Sequence, residues 1–241
     1  MEPVTSRAFP GANKFKLGLF SFNTGGGLTQ TLAPERWDPS WTHMVQLARE
    51  AEAAGLEFLL PLAGWIDHQG AADNDGHFHE TITWAGGLLA ATERIHVFAT
   101  IHVPFLHPVF AAKQAVTCDH IGGGRFGLNL VAGYNIQEFD MFGIDYGEHE
   151  ARYAYLDEWL HVVKRLWQEP ERFDHEGRFF QVKAAFSQPK PVDCGLPMVV
   201  SAGSSQAFRS TLKNNVGLFA LVWALGAHLK AFLGFWPHLI Q

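Results

Sequence analysis

Cysteine is scarce in this chain: two among 241 residues, Cys118 and Cys194, far apart and outside any Cys-x-x-Cys or Cys/His spacing. No disulfide framework can be built from them, and the pattern suits a reducing, cytoplasmic setting. Charge is sparse too. Asp, Glu, Lys and Arg make up 17% of residues, the formal net charge is −6, and no run of Lys or Arg occurs anywhere. Binding a phosphate backbone needs clustered basic side chains, so the composition argues against a nucleic-acid partner. The first 16 residues are polar and carry no apolar h-region, which argues against a signal peptide. Long hydrophobic runs are missing as well. Only Val216 to Trp236 approaches one, and its clean apolar part ends at Ala227, before His228 and Lys230. That falls short of the roughly 18–20 residues a membrane span needs, so a buried strand leading into a helix is expected there.

What the chain has in quantity is apolar side chain. Hydrophobic residues make up 47% and aromatics 13%, including 20 Phe and 8 Trp. Such a composition excludes disorder and fills one sizeable core. No Pro/Gly/Ser-rich linker divides residues 1–241, so a single domain is expected. Apolar runs and amphipathic segments alternate along it. Strands are expected at Lys16–Phe22, Phe58–Ala63, His96–Val103, Arg125–Val131 and Pro197–Gly203, with a sixth at Leu218–Trp223. Helices are expected near Asp38–Ala54, His79–Thr92, Pro108–His120 and Glu148–Gln168. Asp38 reads as the N-cap of the first, Pro39 as its first helical residue, and Gly55 as its C′ residue. The segment between Gln168 and Pro197 reads as irregular. Near-continuous apolar strands separated by helices imply a parallel sheet covered on both faces. Periodicity leaves two closures open, a doubly wound open sheet and a (β/α)8 barrel.

Three polar features interrupt this pattern. Asn129 sits inside the apolar strand Arg125–Val131, followed by Ala132-Gly133-Tyr134. It either lines a barrel mouth, where its paired donor and acceptor suit the pyrimidine edge of a flavin, or is satisfied by neighbouring backbone. Gly122-Gly123-Gly124 precedes that strand and opens no helix, so it is a tight turn and no dinucleotide fingerprint. Ser201-Ala202-Gly203-Ser204-Ser205 lies between a strand and a helix, where it serves either as a phosphate cradle at a helix N-terminus or as an ordinary N-cap. Arg152, in the first turns of the long helix, is a candidate counter-charge for the first use. Asp73 to Glu80, with His77 and His79, is the densest polar cluster, but it completes neither a calcium loop nor a zinc-ligand spacing. It reads as a loop entering an N-capped helix, and no metal is expected.

The run Gly123 to Tyr134 (GGRFGLNLVAGY), followed by Glu138 and by Glu148-His149-Glu150-Ala151-Arg152-Tyr153, resembles the luciferase-like flavin monooxygenases. Within them it is similar to the subgroup holding the alkanesulfonate, dimethylsulfone and pyrimidine monooxygenases. Ala90 to Ile95, Ala111 to Gln114 with Asp119, Gly177 to Phe180 and Ser201 to Ser205 support the resemblance in order, over about 16–210. The resemblance implies a TIM barrel that binds reduced FMN delivered by a separate NAD(P)H:flavin reductase. It also implies that O2 reacts through a flavin C4a-(hydro)peroxide to oxygenate a small organic substrate. Leu62 and Ala63 would line the flavin ring, Asn129 would bond its edge, and Glu138 its polar periphery. Arg152, Tyr153, Ser204 and Ser205 would hold the phosphate. F420 is the alternative cofactor the same superfamily suggests. A homo-oligomer is expected, and the catalytic residues are left unassigned.

Family members are longer and carry eight strands, whereas about six can be counted here. The text from Thr211 to Gln241 reads as a divergent tail, as a shortened or frame-shifted product would give. An incomplete barrel with two exposed sheet edges is therefore expected. Beside the monooxygenase stand a non-catalytic flavin-binding remnant and, more distantly, a metal-dependent hydrolase built on His77 and His79.

Overall fold

The computed structural model describes residues 13, 16–29, 31–66, 77–193, 195–201, 204–214 and 216–219. Strands β1 (Gly18–Phe20), β2 (Phe58–Leu60), β3 (His96–His102) and β4 (Phe126–Val131) alternate with helices α1 (Trp41–Ala53), α2 (Thr81–Ala91) and α3 (Pro108–Ile121). Next come α4 (Ile136–Phe142), α5 (His149–Gln168), β5 (Phe173–Glu176), β6 (Gln181–Ala185), β7 (Met198–Ser201), α6 (Ser205–Asn214) and β8 (Gly217–Phe219).

The main sheet has the order β1-β2-β3-β4-β7-β8, every pair parallel. Each new strand is added on the same side as the last. A doubly wound sheet reverses direction partway, so this order resolves the two closures in favour of a barrel wall. Six strands make a curled half-barrel. Among the described residues, β1 and β8 each pair on one side only. β5 and β6 form a separate antiparallel hairpin where an irregular stretch was expected.

Period-two alternation assigns the strand residues to two faces. Leu59, Val97, Ala99, Ile101, Phe126, Leu128 and Leu130 belong to the main core with the helices. Met44 and Ala48 of α1, Trp84 and Leu88 of α2, Ala112 and Val116 of α3, and Trp159 and Val163 of α5 meet them there. Burial of each large apolar side chain contributes about 1.5–3 kcal/mol. Buried indoles also find partners for their N–H: Trp159 Nε1 donates to the Leu106 carbonyl at 2.8 Å and Trp167 Nε1 to that of Ala112 at 3.1 Å.

The other face of the sheet carries Phe98, Thr100 and His102 on β3, Gly127 and Asn129 on β4, and Ser201 on β7. Gly127 is small for a reason. A Cβ at that position would stand 2.5 Å from the Phe98 ring. Aromatic residues thus fill the lower interior, while polar residues occupy its upper, C-terminal end.

Helix boundaries follow the expected periodicity closely, with informative exceptions. Helix α1 begins at Trp41 with Ser40 at the N-cap, two residues beyond the expected Asp38. The Asp38 carboxylate instead meets His43 Nδ1 at 3.1 Å, so it is drawn to a side chain and away from the helix amides. Gly55, with φ +83°, does take the left-handed C′ conformation. Gly123 and Gly124, with φ +57° and +89°, form the expected tight turn ahead of β4.

Candidate functional site

Ligand sites in parallel β/α barrels gather at the C-terminal ends of the strands. There the structure places a ladder of buried polar groups that ties four strands together. Thr81 Oγ1 donates to the Thr100 carbonyl at 2.6 Å, and Thr100 Oγ1 donates to the Pro61 carbonyl at 2.6 Å. Asn129 Nδ2 donates to Thr100 Oγ1 at 3.1 Å, and Ser201 Oγ donates to Asn129 Oδ1 at 2.9 Å. Each such bond is worth on the order of 1 kcal/mol, and their larger effect is to hold the carboxamide in one orientation. Asn129 is 2% exposed, so it points into the half-barrel as one of its two expected uses required. Its partners are side chains of adjacent strands.

The loop after β2 is fixed by a second Asn. Asn23 accepts from the Leu62 N–H at 2.9 Å and donates to the Leu62 carbonyl at 2.7 Å. This two-bond clamp continues the β1–β2 pairing past the end of the strands, and it sets Leu62 and Ala63 at the mouth. Ala63 lines a cleft there with Gly64, Trp65, Thr100, His102 and Phe105.

Arg152 and Tyr153 come from the first turn of α5. Arg152 Nη1 donates to the carbonyls of Tyr146 and Gly147 at 3.2 and 2.9 Å, and its guanidinium lies 3.8 Å from the Tyr146 ring centroid. These contacts fix the loop before the helix. They leave Nε buried with no hydrogen-bond partner among the described residues. The Tyr153 side chain is hydrogen-bonded to Ser204; burial raises its pKa, and the bond to Ser204 and the charge of Arg152 oppose that rise. Ser204 Oγ in turn accepts from the Ala207 N–H at 3.2 Å, so it caps α6. The structure therefore joins three of the expected phosphate residues across two helix starts. Ser205 opens α6 beside them.

Glu138, on α4, is enclosed by protein at 1% exposure. Its Oε1 accepts from the Trp65 N–H at 2.9 Å, and its Oε2 stands 3.8 Å from Nδ1 of the buried His102. Burial pushes the His102 pKa down to about 4, so the ring is neutral near neutral pH. At 3.8 Å, with no hydrogen bond, the neighbouring carboxylate does not offset that burial. Thr100, His102 and Asn23 escaped sequence reading as site residues, and Ser201, read within the candidate phosphate loop, bonds Asn129. One signal was available for two of them: Thr100 and His102 break the apolar run of β3 at i, i+2, the same interruption that marked Asn129.

Arg125, Glu52 and Glu158 are bracing, whereas His79 and Glu80 line the cleft itself. Arg125 donates to the carbonyls of Leu89, Thr92 and Ile95 and to Thr92 Oγ1, all between 2.8 and 3.2 Å. Glu52 accepts from the backbone N–H groups of Glu93, Arg94 and Ile95. Glu158 accepts from those of Arg178, Phe179 and Phe180 at the hairpin turn. Positions 73–76 lie outside the described residues. His79 Nε2 stands 2.9 Å from the Pro39 carbonyl, and Glu80 caps α2 by accepting from the Ile82 and Thr83 amides. Among the described residues, no three His, Cys, Asp or Glu side chains are grouped to hold a metal ion. No described helix is long and apolar enough to cross a membrane.

Comparison with known proteins adds a family to this geometry. The family model described as luciferase-like monooxygenase matches residues 15–234, continuing past position 210. An FMNH2-dependent dimethylsulfone monooxygenase of Pseudomonas putida is 34% identical over 189 residues, covering 78% of this chain and 50% of that protein. A pyrimidine monooxygenase, RutA of Cronobacter turicensis, is 33% identical over 213 residues, covering 86% and 55%. Among solved structures, the EDTA monooxygenase EmoA from Chelativorans sp. BNC1 superimposes with a TM-score of 0.76. That alignment covers 91% of this chain and 59% of that one at 21% identity, and it bears on the fold. The chain spans about half the length of the curated relatives it matches. With a family model covering nearly all of it, the chain belongs to the luciferase-like monooxygenase family.

Proposed function

We propose that this chain, a member of the luciferase-like monooxygenase family, forms the flavin-holding part of an FMNH2-dependent monooxygenase. Its co-substrates are O2 and a small organic molecule of sulfonate, sulfone or pyrimidine type. A separate NAD(P)H:flavin reductase supplies the reduced cofactor, and the chain works in the cytoplasm as a homo-oligomer. One observation carries the reading: the buried Nε of Arg152, without a hydrogen-bond partner among the described residues, next in the chain to Tyr153 with its Ser204 contact. A buried guanidinium edge left without an acceptor is costly unless an anion completes it.

The residues present fit FMN. Arg152 would meet its phosphate with Tyr153, Ser204 and Ser205, and the α6 N-terminus would add a favourable dipole. Leu62 and Ala63 would pack on the ring, and the fixed carboxamide of Asn129 would bond its edge. Glu138 is enclosed, so it would act on the ligand by positioning Trp65 and His102. Bound reduced flavin supplies the reaction with O2. The chain's part is to orient the ring on the Thr100–Asn129–Ser201 ladder and to keep water from the cleft.

The test is an anaerobic titration of the chain with reduced FMN and, in parallel, with reduced F420. Tighter retention of FMN is expected, weakened by Arg152→Ala. Preference for F420 would replace the oxygenase reading with hydride transfer, and binding of neither would end the flavin reading. Retained FMN with no oxygen-dependent turnover when reductase is supplied identifies a flavin holder without catalysis.

A further inference from the structure

His102 is a buried polar group at the mouth to which these assignments give no ligand atom. Its ring lines the cleft beside Ala63, Gly64 and Thr100. The side chain is 2% exposed, and Nδ1 has no hydrogen-bond partner among the described residues. Glu138 Oε2 stands 3.8 Å from Nδ1, and that carboxylate is anchored by the Trp65 amide on its other oxygen. Aromatic rings enclose the imidazole elsewhere, Phe105 at 5.3 Å and Tyr134 at 6.3 Å between centroids, both edge-on. A neutral imidazole carries one proton, on either nitrogen, and the group facing each nitrogen decides which. A fixed carboxylate on the Nδ1 side favours the proton there and leaves Nε2 as the acceptor.

We propose that His102 is a recognition residue of the cleft, a neutral imidazole that accepts at Nε2 a hydrogen bond from an N–H or O–H of the bound molecule. Glu138 is its positioning residue, holding the proton on Nδ1. The ligand chemistry is a polarised N–H or O–H on a flat or small organic group, and two sources offer it: the reduced flavin edge, or the organic substrate. The proposal rests on the flavin reading for the first source only. The tautomer stands independently of any ligand.

The experiment is a nitrogen-15 NMR spectrum of the histidine-labelled full chain, recorded for wild type, Glu138→Gln and His102→Gln, the last identifying the signal. The wild type is expected to show His102 neutral at pH 7 and protonated on Nδ1. Glu138→Gln turns an amide NH2 toward Nδ1 while its carbonyl keeps the Trp65 bond, so the proton should move to Nε2. Anaerobic additions of oxidised FMN, reduced FMN and then a sulfone or uracil separate the sources by which one shifts Nε2. Loss of the accepted bond in His102→Phe should weaken that ligand by about fivefold to tenfold. A wild-type ring protonated on Nε2, a charged ring at pH 7, or a tautomer indifferent to Glu138→Gln overturns the proposal. If no flavin binds while the Nδ1 proton is present and moves in the variant, the flavin reading fails and the tautomer assignment survives. Circular dichroism confirms that each variant is folded; should Glu138→Gln not fold, the wild-type tautomer alone decides.

Discussion

Two arginines, one at each end of the half-barrel, are satisfied to different degrees. At the N-terminal end of the strands, Arg125 spends its guanidinium on three carbonyls and one hydroxyl, and Glu52 gathers three backbone amides. Little is left there for a ligand to satisfy. At the C-terminal end, Arg152 Nε and His102 Nδ1 are buried without hydrogen-bond partners among the described residues, although Asn129, Thr100 and Ser201 are fixed. Similar chemistry, an arginine half-buried at one end and buried at the other, therefore serves two purposes: complete satisfaction stabilises the fold, and incomplete satisfaction prepares a site. The family fingerprint covers both ends, which is why a match to it does not by itself single out the functional residues.

Substitutions can break this contrast from either side. The largest effect is expected from Arg125→Ala, which strips the carbonyls of Leu89, Thr92 and Ile95, at and beyond the end of α2, of a donor and should cost about 3 kcal/mol. Urea unfolding would register it as a lower midpoint, with flavin affinity of the folded protein nearly unchanged. Asn129→Ala comes next and acts at the other end. It should weaken reduced FMN by roughly 1–3 kcal/mol while also loosening the Thr100 and Ser201 contacts. Gly127→Ala tests the aromatic floor between them. The added methyl runs into the Phe98 ring, so about 1–3 kcal/mol of stability should be lost in a thermal melt.

The smallest effect is one of pH. Burial pushes the Glu52 carboxyl up, but the amides of Arg94, Ile95 and Glu93 together outweigh it and hold its pKa below the ordinary carboxylate value. A lowered folded pKa means that its contribution is present above the unfolded carboxylate pKa, about 4.3, and is lost as pH falls below it. Glu52→Gln should flatten that acid limb of the stability curve. An unchanged limb would show that these amides do not stabilise the ionised form.

Much of the architecture was readable because its signals are local. The apolar periodicity of α5 and the largely apolar runs of β3 and β4 place their elements to within a residue or two, and the Gly123–Gly124 turn follows from glycine's conformational freedom. The β5–β6 hairpin was not readable. Its strands are short and half exposed, and the carboxylate that holds its turn, Glu158, lies on another element. The choice of barrel over open sheet needed strand order, which no local pattern encodes. At the site, Asn129 announced itself as a lone polar residue in an apolar strand. The Tyr153–Ser204 contact could be expected only through family resemblance, because it depends on two helix starts meeting in space. His102 carried the same kind of signal as Asn129, but histidine among aromatics and aliphatics stands out less than a carboxamide does. Glu138 was expected at the site, while its enclosure behind Trp65 and His102 followed from the placement of α4.

Arg152→Lys tests the central claim most directly, because lysine keeps the charge and the stem but removes the Nε donor. Reduced-FMN affinity and the urea midpoint should be measured on the same preparation, beside wild type. Flavin binding should weaken by about tenfold while the midpoint falls only slightly, since the ammonium can still donate to the Tyr146 or Gly147 carbonyl but nothing replaces the Nε edge. A markedly lowered midpoint with unchanged affinity would contradict that claim and make Arg152 a brace like Arg125.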